Sequence, residues 1–157
     1  MVAVNSHTEE DRRSASTEKL ATLVQTRTAT LSKYTSLAGQ RPFSEQADLS
    51  NVLREFCETL IDYTASAHFQ LYRYIAEKME RRTAVREIAS QVYPHIIKTT
   101  DTILNFNDKY ENIMSCNKRN ELCKTLDEDL SHLGEALAER IHFEDQVISA
   151  IAGEVVH

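Results

Sequence analysis

The sequence predicts an all-α fold, an antiparallel four-helix bundle with a kinked third helix and a mobile N-terminal tail. The 157 residues include only three Gly and two Pro, too few for the many tight turns of a β-sandwich or barrel of this length. Leu, Ala, Glu, Lys and Arg, which favour long helices, are abundant. Apolar residues also recur at intervals of three and four along four segments. The length fits one domain, which we place at residues 16–157.

The first predicted helix follows a polar segment. Residues 1–15 have no apolar period, so we expect a mobile tail there. Between Ser16 and Leu37 the spacing predicts a helix, which Gly39 and then Pro42 should end. Its expected apolar positions are Leu20, Val24, Leu31, Tyr34 and Leu37.

The second predicted helix begins near Asp48 or Ser50, either of which can cap it, and runs to about Arg82. A second apolar stripe, through Cys57, Ile61 and His68, lies beside its main stripe, so this helix should contact more than one neighbour. The main stripe consists of Leu53, Phe56, Leu60, Tyr63, Ala67, Leu71 and Tyr74.

The third predicted helix starts after Thr83, a residue able to cap it, and reaches Tyr110. Pro94 lies inside it and should kink or split it near Val92, because proline removes one backbone hydrogen bond. The fourth helix is expected from about Lys118 to Ala152. Its apolar positions are Leu122, Leu126, Leu130, Leu133, Leu137, Ile141, Ile148 and Ile151.

Two charged residues interrupt the fourth helix's stripe. Continued in steps of three and four, the stripe reaches Arg140 and Glu144, which can pair one turn apart. If they are buried, they require a satisfied network, because an unpaired buried charge costs several kcal/mol. The other interpretation is that Ile141 and Ile148 take the core positions and the two charges lie at the edge.

His68 lies on the second apolar stripe, one turn before Tyr72. A lone histidine on such a face is more often a satisfied core residue than a ligand. We therefore expect an interior polar network of His68 and Tyr72 with Arg140 and Glu144.

A different face of the second helix carries Asp62, Ser66, Phe69 and Arg73 at helical spacing. The alternative is an ordinary solvated face. Phe69 argues against it, because a large aromatic side chain among polar residues is typical of a protein-binding surface.

Composition and motifs exclude several functions. The net charge of −6 gives no basic stripe for direct binding of nucleic acid. No apolar run is long enough to span a membrane, and the start is no secretory signal, so we expect a cytoplasmic protein with free thiols. One Glu-x-x-His pair, Glu139 and His142, is too little for a di-iron bundle. No nucleophile motif or phosphate-binding Gly-rich loop occurs, so we predict neither enzyme activity nor a cofactor.

Two segments resemble the Rsd/AlgQ family over about Lys19 to Ala152. The first is LREFCETLIDY, residues 53–63, followed by Ala67-His68-Phe69 and Tyr72; the second is LGEALAER, residues 133–140, followed by Glu144-Asp145. The chain departs from the family pattern in having no Trp and in having Ala67 in place of Gly.

The resemblance implies a cytoplasmic bundle that binds the primary sigma factor of RNA polymerase, at the C-terminal domain that reads the −35 promoter element. Such binding lowers the use of that factor, so the chain would be an anti-sigma factor. By the resemblance, Asp62 is the leading candidate for a contact with sigma. Phe69 and Ser66 lie on the same face and come next. The alternatives are a metal-binding bundle like hemerythrin or ferritin, and an adaptor for another regulatory protein.

Overall fold

The computed structural model describes the backbone of residues 2–43, 47–72, 82–111 and 119–152, and the side chains within these ranges from Leu20 on, apart from 47–48 and 119–120. These residues form α1 (Val2–Ala38), α2 (Ala47–Ala67), a π-helical segment (His68–Tyr72), α3 (Thr83–Tyr110) and α4 (Arg119–Ile151). The predicted all-α class is confirmed. Within the described ranges, no helix has the length and apolar character needed to cross a membrane.

The helices form an antiparallel bundle in which α1 packs mainly on α2 and α3 mainly on α4. Contacts between neighbouring helices join residues whose numbers run in opposite directions. Between α1 and α2 these contacts are Tyr34–Phe56 and Thr30–Thr59; between α2 with its π-helical end and α3 they are Phe56–Phe106 and Tyr72–Tyr93. Between α3 and α4 they are Tyr110–Thr125 and Thr99–Arg140. Between α1 and α4 they are Tyr34–Leu130 and Arg27–Asp145.

The first helix begins at Val2, earlier than the Ser16 expected from the sequence. The tail predicted at residues 1–15 lies ahead of the side chains that the structure describes, and the backbone of residues 2–15 is helical. No Gly or Pro occurs between Val2 and Ala38 to stop a helix once its packed part has formed.

The middle of the buried face of α1 differs from the predicted one by one position, whereas Leu20, Tyr34 and Leu37 pack on the core as predicted. Val24 and Leu31, predicted in the core, are exposed, whereas Leu23 and Thr30 are fully buried. Thr30 can occupy a core position because its hydroxyl donates a hydrogen bond to the Thr26 carbonyl oxygen at 2.9 Å. Apolar spacing alone could not identify a buried face that contains a threonine.

The second helix follows its predicted main stripe as far as it is described, and all six stripe residues from Leu53 to Leu71 are buried. Its α-helical part ends at Ala67, and the π-helical turn follows to Tyr72. Residues 73–81, which were also predicted to be helical, lie outside the described residues. A π-helix has i to i+5 hydrogen bonds, so each residue advances less around the axis than in an α-helix. The turn therefore brings Tyr72 round towards the buried side of α2.

The last two helices lie close to their predicted bounds. Pro94 lies inside α3, which continues through it and is not split. The residue is exposed, so water can reach the backbone carbonyl that it leaves unpaired. Arg82, not Thr83, is the N-cap residue, and its guanidinium donates to the Ile151 carbonyl oxygen at 2.7 Å.

Gly134 on α4 leaves room for the Tyr34 side chain of α1. The Tyr34 hydroxyl donates to the Leu130 carbonyl oxygen at 2.9 Å, and a Cβ at position 134 would stand 2.2 Å from that hydroxyl. Only glycine leaves room for the tyrosine here.

We predict that Gly134→Ala lowers the free energy of unfolding by about 1 kcal/mol, because overpacking costs about 1–3 kcal/mol and exceeds the roughly 1 kcal/mol that Ala gains over Gly in a helix. Urea denaturation measures the change. Gly39→Ala is the control, since its added Cβ would meet its nearest atoms at 3.4 Å. Equal effects of the two substitutions would contradict the packing account.

Asp129 joins α4 to the end of α3. It accepts hydrogen bonds from Lys109 Nζ at 2.7 Å and from the Tyr110 hydroxyl. Burial alone would raise the pKa of Asp129, but these two donors outweigh it, and the pKa is lower than usual. The contact therefore stabilises the fold at pH values above the ordinary carboxyl pKa. This stabilisation is lost as the pH falls through the lowered pKa of Asp129.

We predict that Asp129→Asn reduces the loss of stability on acidification, because the variant has no carboxylate to protonate at this site. The measurement is the free energy of unfolding at pH 7 and at pH 3 for both proteins. Asp127→Asn, on the same helix, is the comparison. If the free energy of unfolding of Asp129→Asn differs between pH 7 and pH 3 by as much as that of the wild type, protonation of Asp129 does not contribute to the loss of stability in acid.

Candidate functional site

Arg140 and Glu144 lie in the core of the bundle. Their exposed fractions are 1% and 0%, and Arg140 Nε donates to Glu144 Oε2 at 3.1 Å. Ile141 and Ile148, which offered the alternative core positions, are only partly buried. The stripe of α4 therefore continues through the two charged residues.

The Glu144 carboxylate accepts hydrogen bonds from two tyrosines, one on α2 and one on the π-helical segment that follows it. The Tyr63 hydroxyl donates to Oε1, and the Tyr72 hydroxyl donates to Oε2 at 3.2 Å. Burial, followed by the negative charge of Glu144, raises the pKa of both tyrosine hydroxyls well above the usual range. Both tyrosines therefore stay protonated and act as fixed donors to the carboxylate.

The Arg140 guanidinium has further acceptors on α3. Nη1 donates to Thr100 Oγ1 at 2.8 Å and to Thr99 Oγ1 at 3.2 Å, and the guanidinium carbon lies 5.5 Å from the centre of the Tyr63 ring. Burial alone would lower the pKa of Arg140, but Glu144, Tyr63 and Tyr72 together outweigh it and raise the pKa. The arginine is thus permanently charged.

Arg27 extends this network to the surface along α1. Its Nη1 lies 3.7 Å from Glu144 Oε1 and 2.9 Å from Asp145 Oδ1. The two arginines and two carboxylates balance in formal charge, so the buried group has no net charge to attract an ion. All four helices and the π-helical segment contribute residues to this network.

The network fits a structural role better than a chemical one. The raised pKa values of Tyr63, Tyr72 and Arg140 keep these three groups protonated, whereas general acid or base catalysis needs a group that changes state near neutral pH. A buried pair with this many hydrogen bonds instead penalises any arrangement that leaves one charge alone.

His68 does not join the network, although the sequence suggested that it would. It is exposed, and its ring contacts the Phe69 ring edge to face at 5.2 Å between centroids. The π-helical turn turns Tyr72 inwards, while His68, at the start of that turn, stays on the outer edge between α2 and α3. Tyr72, Arg140 and Glu144 are brought together as expected.

The predicted recognition face lies on the outside of α2. Asp62 is exposed, and Phe69 has 56% of its surface exposed, a large fraction for an aromatic residue. Ser66 lies on the same face and is partly buried; its Oγ makes no hydrogen bond with the described residues. Arg73, the fourth predicted member, lies outside the described residues.

A groove of about 360 Å³ separates α2 and the π-helical segment from α3. Phe69 forms part of one wall, so the groove adjoins the face that carries Asp62. The groove residues used below are Ile61, Phe69, Tyr93, Ile97 and Leu104.

In the described part of the chain, no three His, Cys, Asp or Glu side chains come together in a way that could hold a metal ion. The Cys57 thiol is buried, and its pKa is raised to about 12 by burial and by the charges of Glu111 and Glu58. A thiol with that pKa is almost entirely protonated at neutral pH and is a poor nucleophile.

The sequence did not predict several residues of the buried network and of the groove. Arg27, Thr99 and Thr100 stand on other helices, and nothing in their local pattern indicates contact with α4. Tyr63 was predicted in the core but without a polar partner. The α3 wall of the groove had a usable signal, because Tyr93, Ile97 and Leu104 follow one another at helical spacing.

The chain matches the family model described as regulator of RNA polymerase sigma(70) subunit, Rsd/AlgQ, over residues 2–152. It is 35% identical over 108 residues to the Regulator of sigma D of Yersinia enterocolitica, a match that covers 68% of this chain and 60% of that protein. The Regulator of sigma D of Yersinia pseudotuberculosis serotype O:1b is 32% identical over 121 residues, 75% of this chain and 70% of that protein. No solved structure gave a significant match.

We predict that Glu144→Gln lowers the free energy of unfolding by about 3 kcal/mol, because removing one partner leaves the Arg140 charge buried without its counter-ion. Urea denaturation measures this loss. The control is the double variant Arg140→Met with Glu144→Leu, which removes both charges and should be more stable than the single variant. A single variant within about 0.5 kcal/mol of the wild type, the range of surface substitutions, would contradict the account.

Proposed function

Because the chain belongs to the Rsd/AlgQ family of regulators of the RNA polymerase sigma(70) subunit, we propose that it is an anti-sigma regulator of transcription. It binds the primary sigma factor at the C-terminal domain that reads the −35 promoter element. A bound domain is withheld from the promoter and from the polymerase, and alternative sigma factors gain in the competition. The chain acts in the cytoplasm by occupancy and not by catalysis.

The observation that carries this proposal is the exposure of Phe69 beside Asp62 on one face of α2. Exposing an aromatic side chain to this extent has no benefit for folding, whereas an aromatic anchor that becomes buried in a complex contributes much of the affinity. An adjacent carboxylate gives orientation and a faster encounter with a positively charged partner.

The charge of the chain fits a partner that binds DNA. A promoter-reading domain carries basic residues for the phosphate backbone, and this chain has a net charge of −6. Opposite charges attract over about one Debye length, roughly 10 Å at 0.1 M salt. Affinity should therefore fall as the salt concentration rises.

The interior network supports recognition indirectly. Tyr63 and Tyr72 lie on the same two segments as Asp62 and Phe69, and their hydroxyls are fixed on Glu144. A rigid backbone there keeps Asp62 and Phe69 in place before the partner arrives, which reduces the entropy lost on binding.

We predict that Asp62→Ala weakens one-to-one binding to the isolated C-terminal domain of the primary sigma factor by about tenfold and leaves the helical circular dichroism unchanged. Isothermal titration calorimetry measures the affinity. Glu128→Ala, which removes an exposed carboxylate from α4, is the matched control and should bind like the wild type.

Two outcomes would oppose the proposal. If the wild-type chain shows no binding at micromolar concentrations, the anti-sigma function is wrong, and an adaptor for another regulatory protein becomes the better explanation. If Asp62→Ala and Glu128→Ala weaken binding equally, Asp62 is not a specific contact.

A further inference from the structure

The face of α3 towards the groove is apolar and uncovered. Tyr93, Ile97 and Leu104 have exposed fractions of 38%, 46% and 43%. Their spacing of four and seven residues places them on one side of the helix. At 1.5 Å per residue they span about 16 Å, or three helical turns.

The opposite wall continues this apolar surface. Phe69 is exposed and Ile61 is partly buried on the side of α2 that faces α3. Among the described residues, six large apolar side chains are exposed, and four of them line this one groove. Isolated exposed apolar residues are normal, whereas a contiguous patch in a concave surface is typical of a protein-binding site.

The rims of the groove are acidic on both sides. On α3, Asp101 follows Ile97 by four residues and Asp108 follows Leu104 by four, so each carboxylate lies one turn from an exposed apolar side chain. Both are exposed.

The edge of the groove formed by α2 is also acidic. Glu58 and Asp62 share a helix face with Phe69, and both are exposed. Of the described residues on these two faces, the basic ones, Arg54 and Arg86, come before these acidic positions, towards the start of each helix. The exposed apolar side chains of the groove thus lie between two acidic edges, and the buried Thr64 and Arg140 also line the groove.

We propose that this groove receives one amphipathic helix of the sigma factor, with its apolar stripe on Phe69, Ile97 and Leu104 and its basic flanks against Asp62, Asp101 and Asp108. The inference rests on the proposed function and adds to it the α3 half of the contact surface. Two antiparallel helices with a groove between them offer a third helix the usual ridge-and-groove packing. The acidic edges select a helix flanked by Lys and Arg, as expected in a domain that reads DNA.

The test replaces the apolar residues of α3. The double variant Ile97→Ser with Leu104→Ser should bind the purified full-length sigma factor at least about tenfold more weakly than the wild type, because apolar contacts at the centre of an interface dominate its affinity. The matched control is Val24→Ser with Leu31→Ser, on α1, whose side chains are 40% and 37% exposed. It should bind within about twofold of the wild type. Circular dichroism and thermal unfolding confirm that both variants are folded.

A second measurement tests the acidic rim. Asp101→Asn with Asp108→Asn should weaken binding and also reduce its dependence on salt concentration, since two charge contacts are lost. Glu128→Gln with Glu135→Gln removes two exposed carboxylates from α4 and should leave both quantities unchanged.

The outcomes separate this inference from the proposed function. No binding of sigma by the wild type overturns both. Binding that is weakened by Asp62→Ala but unchanged by the α3 variants overturns the groove and leaves the function standing. Equal weakening by the α3 and α1 variants also overturns the groove as the docking site. A photo-reactive residue at position 97 that cross-links to a basic helix of sigma, when one at position 24 does not, supports the groove directly.

Discussion

The arrangement of the helices depends on one buried ion pair, Arg140 with Glu144. Both charges lie on α4, one turn apart, and neither is in contact with water. Each remains tolerable only because other segments supply its hydrogen bonds: Tyr63 and Tyr72 to the carboxylate, Thr99 and Thr100 to the guanidinium. A shift of α2 or α3 by one turn would leave part of a buried charge unsatisfied, at a cost of several kcal/mol. Apolar packing tolerates many registers, whereas this network specifies one.

The surface of the molecule follows from that interior. Tyr72 reaches Glu144 only because the π-helical turn brings it inwards, and the same turn leaves His68 and Phe69 on the outside. α2 and its π-helical end pack directly on α3 through Phe56–Phe106 and Tyr72–Tyr93, and the network also joins them through α4. A groove remains beside these contacts, between α2 and α3. The exposed apolar residues of the groove and the acidic residues on its edges can then face a partner without weakening the core. One set of polar residues, the buried network around Arg140 and Glu144, holds the bundle together. A second set, the acidic residues beside the groove, is exposed on its surface.

The helices, the main stripe of α2 and the buried charges of α4 could be predicted from the sequence, because each depends on spacing within one segment. Features that depend on several segments could not. Arg27, Thr99 and Thr100 join the network through tertiary contacts that no local pattern encodes. The position of His68 was predicted wrongly because it lies at the edge of the wide apolar arc of α2, where Ile61 is also only partly buried. The π-helical turn that brings Tyr72 inwards begins only at His68. Val24 and Leu31 were misplaced because a threonine, Thr30, occupies the core position between them.

The proposed recognition surface consists of the exposed apolar and acidic side chains of α2, the π-helical segment and α3. Hydroxyl-radical footprinting of the chain, free and bound to the primary sigma factor, tests this most directly, because it reports the solvent exposure of individual side chains. We predict that Phe69, Tyr93, Ile97 and Leu104 are oxidised in the free chain and protected in the complex, whereas Val24 and Leu31 react equally in both. Protection of the α1 side chains with no change at the four groove residues would contradict it.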